Sequence, residues 1–295
     1  MAIVDAYLNE QALKRLDRQE RFNLFGLTLP YLGLVSLLII IPIGWLFYMS
    51  FIGRDGTLSL ENYTRMLDSK AYIRIFITTF KISFLTTLIC ALIGYPLTYF
   101  MSQLPKKWAG ICMIGVLIPF WTSLLVRTYA WLVLLQKKGL LNNLLLDLEI
   151  ILEPIKFVHN TSGTLIGMAH IMLPFLILPL YANMRSIDKD CVRAAASLGA
   201  TPSRAFWTVF FPLSLPGLLA GLLIVFVLCL GFYVTPAVLG GGRVIMAAMK
   251  ISSNIELYFS WGAASALGVV LLVVTMAILF IASRLISIDQ ISNRS

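Results

Sequence analysis

Residues 193–200 read Arg193-Ala194-Ala195-Ala196-Ser197-Leu198-Gly199-Ala200, and the same polar island continues to Val209-Phe210-Phe211-Pro212. Long apolar segments flank this island on both sides, so it lies outside the region that those segments occupy. Small alanines allow another backbone to come close, and a glycine between two helical stretches can adopt the left-handed conformation that ends the first helix. The pattern predicts a loop, here called the polar loop (residues 185–212), that a second protein contacts.

The apolar segments around the polar loop set the class of protein. Hydrophobic residues make up 59% of the chain and charged residues 13%, with a mean hydropathy of +0.88, which excludes a soluble globular protein of 295 residues. A spanning helix needs about 20 mostly apolar residues. Six segments reach that length, at about 27–52, 76–101, 111–135, 164–184, 213–239 and 263–285. The sequence predicts an all-α membrane protein with six transmembrane helices.

The ends of the chain are expected to lie outside the bilayer. Residues 1–26 mix acidic and basic side chains with apolar ones at helical spacing, which predicts an amphipathic cytoplasmic segment rather than a cleaved signal. Residues 27–285 form the predicted membrane domain, and 286–295 a cytoplasmic tail. The four cysteines show no Cys-x-x-Cys spacing, so neither a disulfide framework nor a metal site is expected.

The polar loop resembles the EAA loop of ABC-importer permeases, whose pattern is Glu-Ala-Ala, three residues, Gly, nine residues, then Ile-x-Leu-Pro. Ala194, Ala195, Gly199 and Pro212 match that pattern, and Arg193 stands where the family has its Glu. In the family this loop forms two short cytoplasmic helices joined at the glycine, which dock into a cleft of the ATP-hydrolysing subunit. The resemblance therefore implies an ATPase-coupling role for Arg193, Ala194, Ala195, Gly199, Ala200 and Pro212.

Further segments are similar to the spermidine/putrescine permease group, over about residues 30–285. They include Leu58-Ser59-Leu60-Glu61-Asn62-Tyr63, Gly94-Tyr95-Pro96, Pro119-Phe120-Trp121-Thr122-Ser123, Arg127-Thr128-Tyr129 and Lys138-Gly139-Leu140-Leu141-Asn142. The resemblance implies a type I ABC-importer permease fold in the bacterial inner membrane. It also implies three partners: two copies of an ATPase, a second related permease and a periplasmic binding protein. ATP and Mg would be bound by the ATPase, with no cofactor in this chain.

Orientation follows from the resemblance more firmly than from charge. With both termini cytoplasmic, twelve Lys and Arg residues of the loops and termini face the cytoplasm and nine face outside, a weak bias in the expected direction. The net charge of +9 is typical of basic loops beside anionic lipid and needs no nucleic acid.

Prolines and a charged residue within the apolar segments suggest where a translocation path lies. Pro96, Pro119, Pro174, Pro179 and Pro236 each remove a backbone donor, which is tolerated beside neighbouring helices or a water-filled cavity. Arg127 lies inside the third segment and needs acceptors, for which carbonyls freed by Pro119 or Pro174 are candidates. The candidate path consists of Phe120, Trp121, Arg127, Tyr129, Pro174 and Tyr233; packing of these aromatic residues and interfacial anchoring remain alternatives. His170 is expected to be a hydrogen-bonded helix partner.

Other classes of function are less well matched. The sequence has no Gly-x4-Gly-Lys-Ser/Thr loop and no His-Glu-x-x-His, so this chain is not expected to be an enzyme. A secondary transporter or channel would be expected to carry acids within its spans, yet all 14 acidic residues fall outside the apolar segments. A structural assembly factor is the third alternative. Among solutes, a polyamine is the first expectation, with an opine, an amino acid or aminoethylphosphonate as alternatives.

Overall fold

The computed structural model describes the backbone of residues 2–53 and 55–292. In that part of the chain the secondary structure is helical apart from one isolated antiparallel bridge between Ile52 and Leu58. The helices are α1 (Ala2–Ser50), α2 (Glu61–Asp68), α3 (Lys70–Gln103), α4 (Lys106–Trp121), α5 (Leu124–Leu134), α6 (Leu140–Asp147), α7 (Thr161–Ser186), α8 (Lys189–Ser197), α9 (Pro202–Ala205), α10 (Phe211–Leu230), α11 (Val234–Leu239), α12 (Ala247–Glu256) and α13 (Trp261–Ser292).

Six membrane crossings are present if one sharply bent helix pair counts as a crossing. Five stretches are long and apolar enough to span by themselves, namely 24–50, 70–103, 161–186, 202–230 and 261–284. The sixth is α4 with α5, which meet at an angle of 97°. The predicted third span, 111–135, is therefore broken in the middle rather than straight.

Three helices, α3, α7 and α10, form the centre of the bundle. Their buried side chains include Ile82, Met172 and Val225, which belong to one apolar cluster. Helices α7 and α10 approach closely at two glycines of α10. A Cβ on Gly221 would lie 2.9 Å from the carbonyl oxygen of Leu176, and a Cβ on Gly217 would lie 2.4 Å from the Cβ of Asn183. Small residues at this spacing permit such backbone contact between membrane helices.

The first helix lies at the edge of the bundle. It continues from Ala2 to Ser50 without a break, although Pro30 and Pro42 lie within it. No residue in its most apolar stretch is buried. The amphipathic face predicted for residues 1–26 falls mostly on side chains outside those the structure describes.

Candidate functional site

The turn at Gly199 ends the first helix of the polar loop. Gly199 has φ of +85°, in the left-handed region that the sequence predicted for it. Its N–H donates to the carbonyl of Ala196 at 2.9 Å, and the N–H of Ala200 donates to that of Ala195 at 3.1 Å. These two bonds form a Schellman motif, which satisfies the last carbonyls of α8. A β-carbon at Gly199 would meet no atom within 4 Å, so the glycine is required by conformation and not by space inside this chain.

The second half of the polar loop differs from the expected separate short helix. Residues 202–230 form one continuous helical stretch, so α9 leads directly into the fifth span. A π-helical turn at Phe206–Phe210 joins α9 to α10, and the N–H of Phe211 donates to the carbonyl of Phe206. Pro212 follows this turn; it has no N–H to give and its ring would clash with the carbonyl four residues earlier, so a widened turn accommodates it.

An aromatic cluster attaches the polar loop to α3. The ring of Tyr99 lies 5.1 Å from that of Phe206 and 5.0 Å from that of Phe210, both edge to face. Tyr95 packs on Phe211 at 5.6 Å, and its hydroxyl lies 2.8 Å from that of Ser214. Edge-to-face pairs add directional contacts to the burial of apolar area. These contacts join the polar loop to α3 as well as to α10.

Arg185 holds the start of the polar loop. Its Nη1 donates to the carbonyls of Ser102 and Leu104, at 3.1 and 3.3 Å. The first carbonyl belongs to the last turn of α3 and the second to its C-cap residue, so the end of α7 is joined to the end of α3. The sequence places Arg185 at the start of the loop without indicating its role, although a cation just after a long apolar segment is a signal for such a contact.

Five of the six coupling residues predicted from the sequence lie together on this loop, on α8 and in the turn after it. Arg193 is exposed and its Nη1 lies 2.8 Å from Oδ1 of Asp190, one turn earlier in α8. Ala194 is exposed, whereas Ala195 and Ala200 are half-buried. Pro212 stands apart from them as the second residue of α10. Leu198, which sequence reasoning passed over, is 89% exposed beside Gly199 and is the most prominent apolar side chain of the loop.

A second region lies at the other end of the bundle, where two spans are interrupted. Helix α4 ends at Trp121 and α5 begins at Leu124, while α10 ends at Leu230 and α11 begins at Val234. The predicted span 213–239 is thus also broken. The two short helices that follow the breaks contact one another, with the hydroxyl oxygens of Thr128 and Thr235 3.2 Å apart. Interrupted helices leave backbone groups that neighbouring helices or a cavity must satisfy.

Arg127 lies on α5 in this second region. Its Nε and Nη1 atoms are buried, and no residue in the described ranges accepts from them. The predicted pairing with carbonyls freed by Pro119 or Pro174 is therefore wrong for these two atoms. The guanidinium lies within electrostatic range of His170 on α7. His170 in turn accepts a hydrogen bond at Nδ1 from the indole N–H of Trp131, at 3.2 Å, which confirms the predicted helix-partner role.

The remaining candidate path residues divide between packed and exposed positions. Phe120 packs edge to face on Phe175 at 5.6 Å, and Pro174, which precedes Phe175 in α7, is buried. Trp121 is 85% exposed at the break after α4, and Tyr129 and Tyr233 are 54% and 41% exposed. Phe120 is itself 47% exposed, so all four aromatic rings of this set are partly open to their surroundings, whereas Pro174 is buried.

The fold is that of an ABC-transporter permease. In the crystal structure of a bacterial alginate ABC transporter in complex with an alginate pentasaccharide-bound periplasmic protein, one chain superimposes with a TM-score of 0.72 at 18% identity, over 90% of this chain and 94% of that one. Residues 11–290 match the family described as the binding-protein-dependent transport system inner membrane component. The chain belongs to this family and is a multi-pass inner-membrane transport subunit.

Two related permeases with assigned solutes are similar in sequence to this chain. The spermidine/putrescine transport system permease protein PotB of Haemophilus influenzae is 33% identical over 252 residues, which cover 83% of this chain and 88% of PotB. The permease protein PhnU of Salmonella typhimurium, named for 2-aminoethylphosphonate transport, is 31% identical over 201 residues, 67% of this chain and 69% of PhnU. The similarity to PotB thus covers more of this chain than the similarity to PhnU does.

Proposed function

We propose that this chain is the translocation subunit of an ATP-driven importer and that the imported solute is a polyamine such as putrescine or spermidine. The assignment of the solute is supported by the similarity to PotB over most of both chains. In this proposal a periplasmic binding protein delivers the solute, a second related permease completes the path, and two copies of an ATPase bind ATP and Mg.

The polar loop supports the ATP-driven part of the proposal. It presents Leu198 and the exposed face of α8 to a partner, and it is joined to the membrane helices at both ends, through Arg185 and through the aromatic cluster of Tyr99. A partner that moves this loop would therefore move α3, α7 and α10 together. Closure of an ATPase dimer would in this way drive the bundle between inward-open and outward-open arrangements.

The proposed orientation places both termini and the polar loop in the cytoplasm. Residues 53–75, 136–163 and 240–262 would then face the periplasm. We expect a single cysteine at position 203, on a background without the four native cysteines, to react with an impermeant maleimide only after the membrane is opened. Ser203 is exposed on α9, so failure of access cannot be due to burial within the chain. Gly242→Cys is the matched control in the outer loop; labelling of position 203 in intact cells would contradict the orientation.

The chemistry of the second region distinguishes between the possible classes of solute. All 14 acidic residues lie outside the predicted apolar segments, so the spans of this chain offer an ammonium group aromatic faces rather than carboxylates. Trp121 and Tyr129, which are 85% and 54% exposed, are the most exposed rings of the candidate path and are available for that contact. Arg127, in contrast, would repel a polycation and would suit a carboxylate or phosphonate.

Vesicles that contain the complete importer and its binding protein test this proposal. We expect ATP-dependent uptake of labelled putrescine or spermidine, and Arg127→Gln should leave it unchanged or faster because a positive charge near the path is removed. Uptake of an anionic solute that bonds to the guanidinium would instead fall about tenfold or more. Arg243→Gln, an equal change of charge at an exposed loop residue, is the control. Entry of an amino acid, opine or aminoethylphosphonate with exclusion of both polyamines would reject the proposed solute.

A further inference from the structure

A cleft of about 1280 Å³ lies between the polar loop and the neighbouring ends of α3, α4 and α7. Four cationic side chains line it against two carboxylates: Lys106, Arg185, Lys189 and Arg193 with Asp188 and Asp190. The cleft lies where membrane-spanning helices end, so it borders the headgroup region of the bilayer. An excess of positive charge at that level attracts anions from the membrane surface.

Both carboxylates of the cleft already have partners. The side chain of Asp188 accepts from the N–H of Asp190 at 2.9 Å as the cap of α8, and Asp190 pairs with Arg193. Arg185 donates hydrogen bonds to two carbonyls at the C-terminal end of α3. Within the described part of the chain, Lys106 and Lys189 form no ion pair. The cleft therefore keeps two cations free for a ligand.

The start of α4 gives a second, independent reason to expect an anion. This 16-residue helix begins at Lys106, its N-cap Pro105 supplies no side-chain hydrogen bond, and its first turn has no acidic residue. The first N–H groups of a helix and its dipole favour a negative charge, whereas Lys106 and Lys107 place two positive charges there. A bound anion would compensate for the unfavourable positive charge at this helix N-terminus.

The apolar part of the cleft identifies the source of the anion. Tyr99, Met184, Phe206 and Phe210 form its wall beside the cations. A free phosphate would need the cations alone, whereas a phospholipid also has glycerol and acyl groups to place against such a wall. Trp108 and Trp207, which lie within two residues of the lining residues Lys106 and Phe206 in the sequence, are 59% and 61% exposed, as is typical of aromatic residues at a membrane interface.

We propose that this cleft binds the phosphate headgroup of an anionic membrane phospholipid, with Lys106 as the main cationic contact. A lipid bound there would contact α3, α4, α7 and the polar loop at once. It would thereby stabilise the arrangement of the loop relative to the membrane helices. Lipid binding at this end of the bundle is independent of which solute the protein carries.

Neighbouring lysines provide a matched test. The full chain in detergent is titrated with fluorescent phosphatidylglycerol, and with phosphatidylcholine as the zwitterionic reference. We expect Lys106→Gln to weaken phosphatidylglycerol binding about fivefold, whereas Lys107→Gln changes it by less than about twofold. Both residues are exposed and carry the same charge in the same turn, but Lys106 lines the cleft and Lys107 does not. Binding of phosphatidylcholine should be weak in all three proteins.

Several results would overturn the proposal. Equal losses in the two variants would mean general attraction to a basic surface. Equal affinity for the two lipids would mean that no headgroup site exists. Full displacement of the lipid by millimolar inorganic phosphate would indicate a free phosphate site. Displacement of the lipid by the purified ATPase, together with weaker binding of the ATPase to Lys106→Gln, would assign the cleft to a protein partner.

Discussion

Gly199→Leu is expected to lower ATP-driven transport by more than about tenfold while the protein still inserts and accumulates. Gly199 has φ of +85°, and a branched or bulky residue in that region costs about 1–2 kcal/mol. Loss of the turn removes the two hydrogen bonds that end α8 and redirects the chain between α8 and α9. The added side chain also lies beside exposed Leu198, where we propose that the ATPase docks. Transport and ATPase association, measured in the same vesicles, check this expectation.

Two control variants separate turn conformation from side-chain bulk. Gly199→Asn should retain most transport, because asparagine tolerates the left-handed region better than leucine. Gly242→Leu introduces the same strain at a glycine with φ of +76° and open space, but in the loop predicted to face the periplasm. Its transport should stay near that of the unmodified protein. Wild-type transport and normal ATPase association in Gly199→Leu would show that the docking role proposed for this turn is wrong.

Gly221→Val is expected to lower the yield of folded protein and to reduce its melting temperature by about 5–10 °C. A β-carbon at this position would lie 2.9 Å from the carbonyl oxygen and 3.2 Å from the Cα of Leu176. These are backbone atoms of α7, which cannot move aside as a flexible side chain would, and overpacking of this kind costs about 3 kcal/mol. Because α7 and α10 form the centre of the bundle, transport should fall with the folded fraction.

Gly115→Val is the matched control for this packing prediction. Gly115 lies within α4, in another apolar helix, and a β-carbon there would meet nothing within 4 Å. The change in helix propensity is the same at both positions, so the difference between the variants measures the close contact alone. Thermal unfolding in detergent compares them. Equal melting temperatures would contradict the packing assigned to Gly221.

The number and order of the membrane segments could be predicted because length and hydropathy alone determine them. The two breaks could not. Residues 213–239 are almost uniformly apolar, so hydropathy gives no signal at Gly231, where α10 ends. The break at Thr122 and Ser123 has a local signal in Pro119 and two hydroxyl residues, but a proline within an apolar run is also compatible with a kinked continuous helix.

The polar loop shows the same division between local and tertiary information. The left-handed turn at Gly199 is local and was predictable from one residue type between two helical patterns. The fusion of α9 with the fifth span was not, because the family pattern has a second short helix and the π-helical turn depends on the contacts of Phe206 with Tyr95 and Tyr99. The predicted pairing of Arg127 with freed carbonyls is wrong for a similar reason, because the atoms that a side chain can reach depend on its direction within the bundle.

The π-helical turn at Phe206–Phe210 also sets the rotational phase of the loop. Such a turn holds one residue more than an α-helical turn, and each residue of an α-helix advances the face by about 100°. The extra residue in this turn therefore determines the rotational orientation of the exposed face of α9 relative to the packed face of α10. If the same residues instead formed a regular α-helix, the wide turn would no longer absorb the extra residue, and the loop would rotate by about 100° about the axis of the fifth span, even with every named contact residue still present.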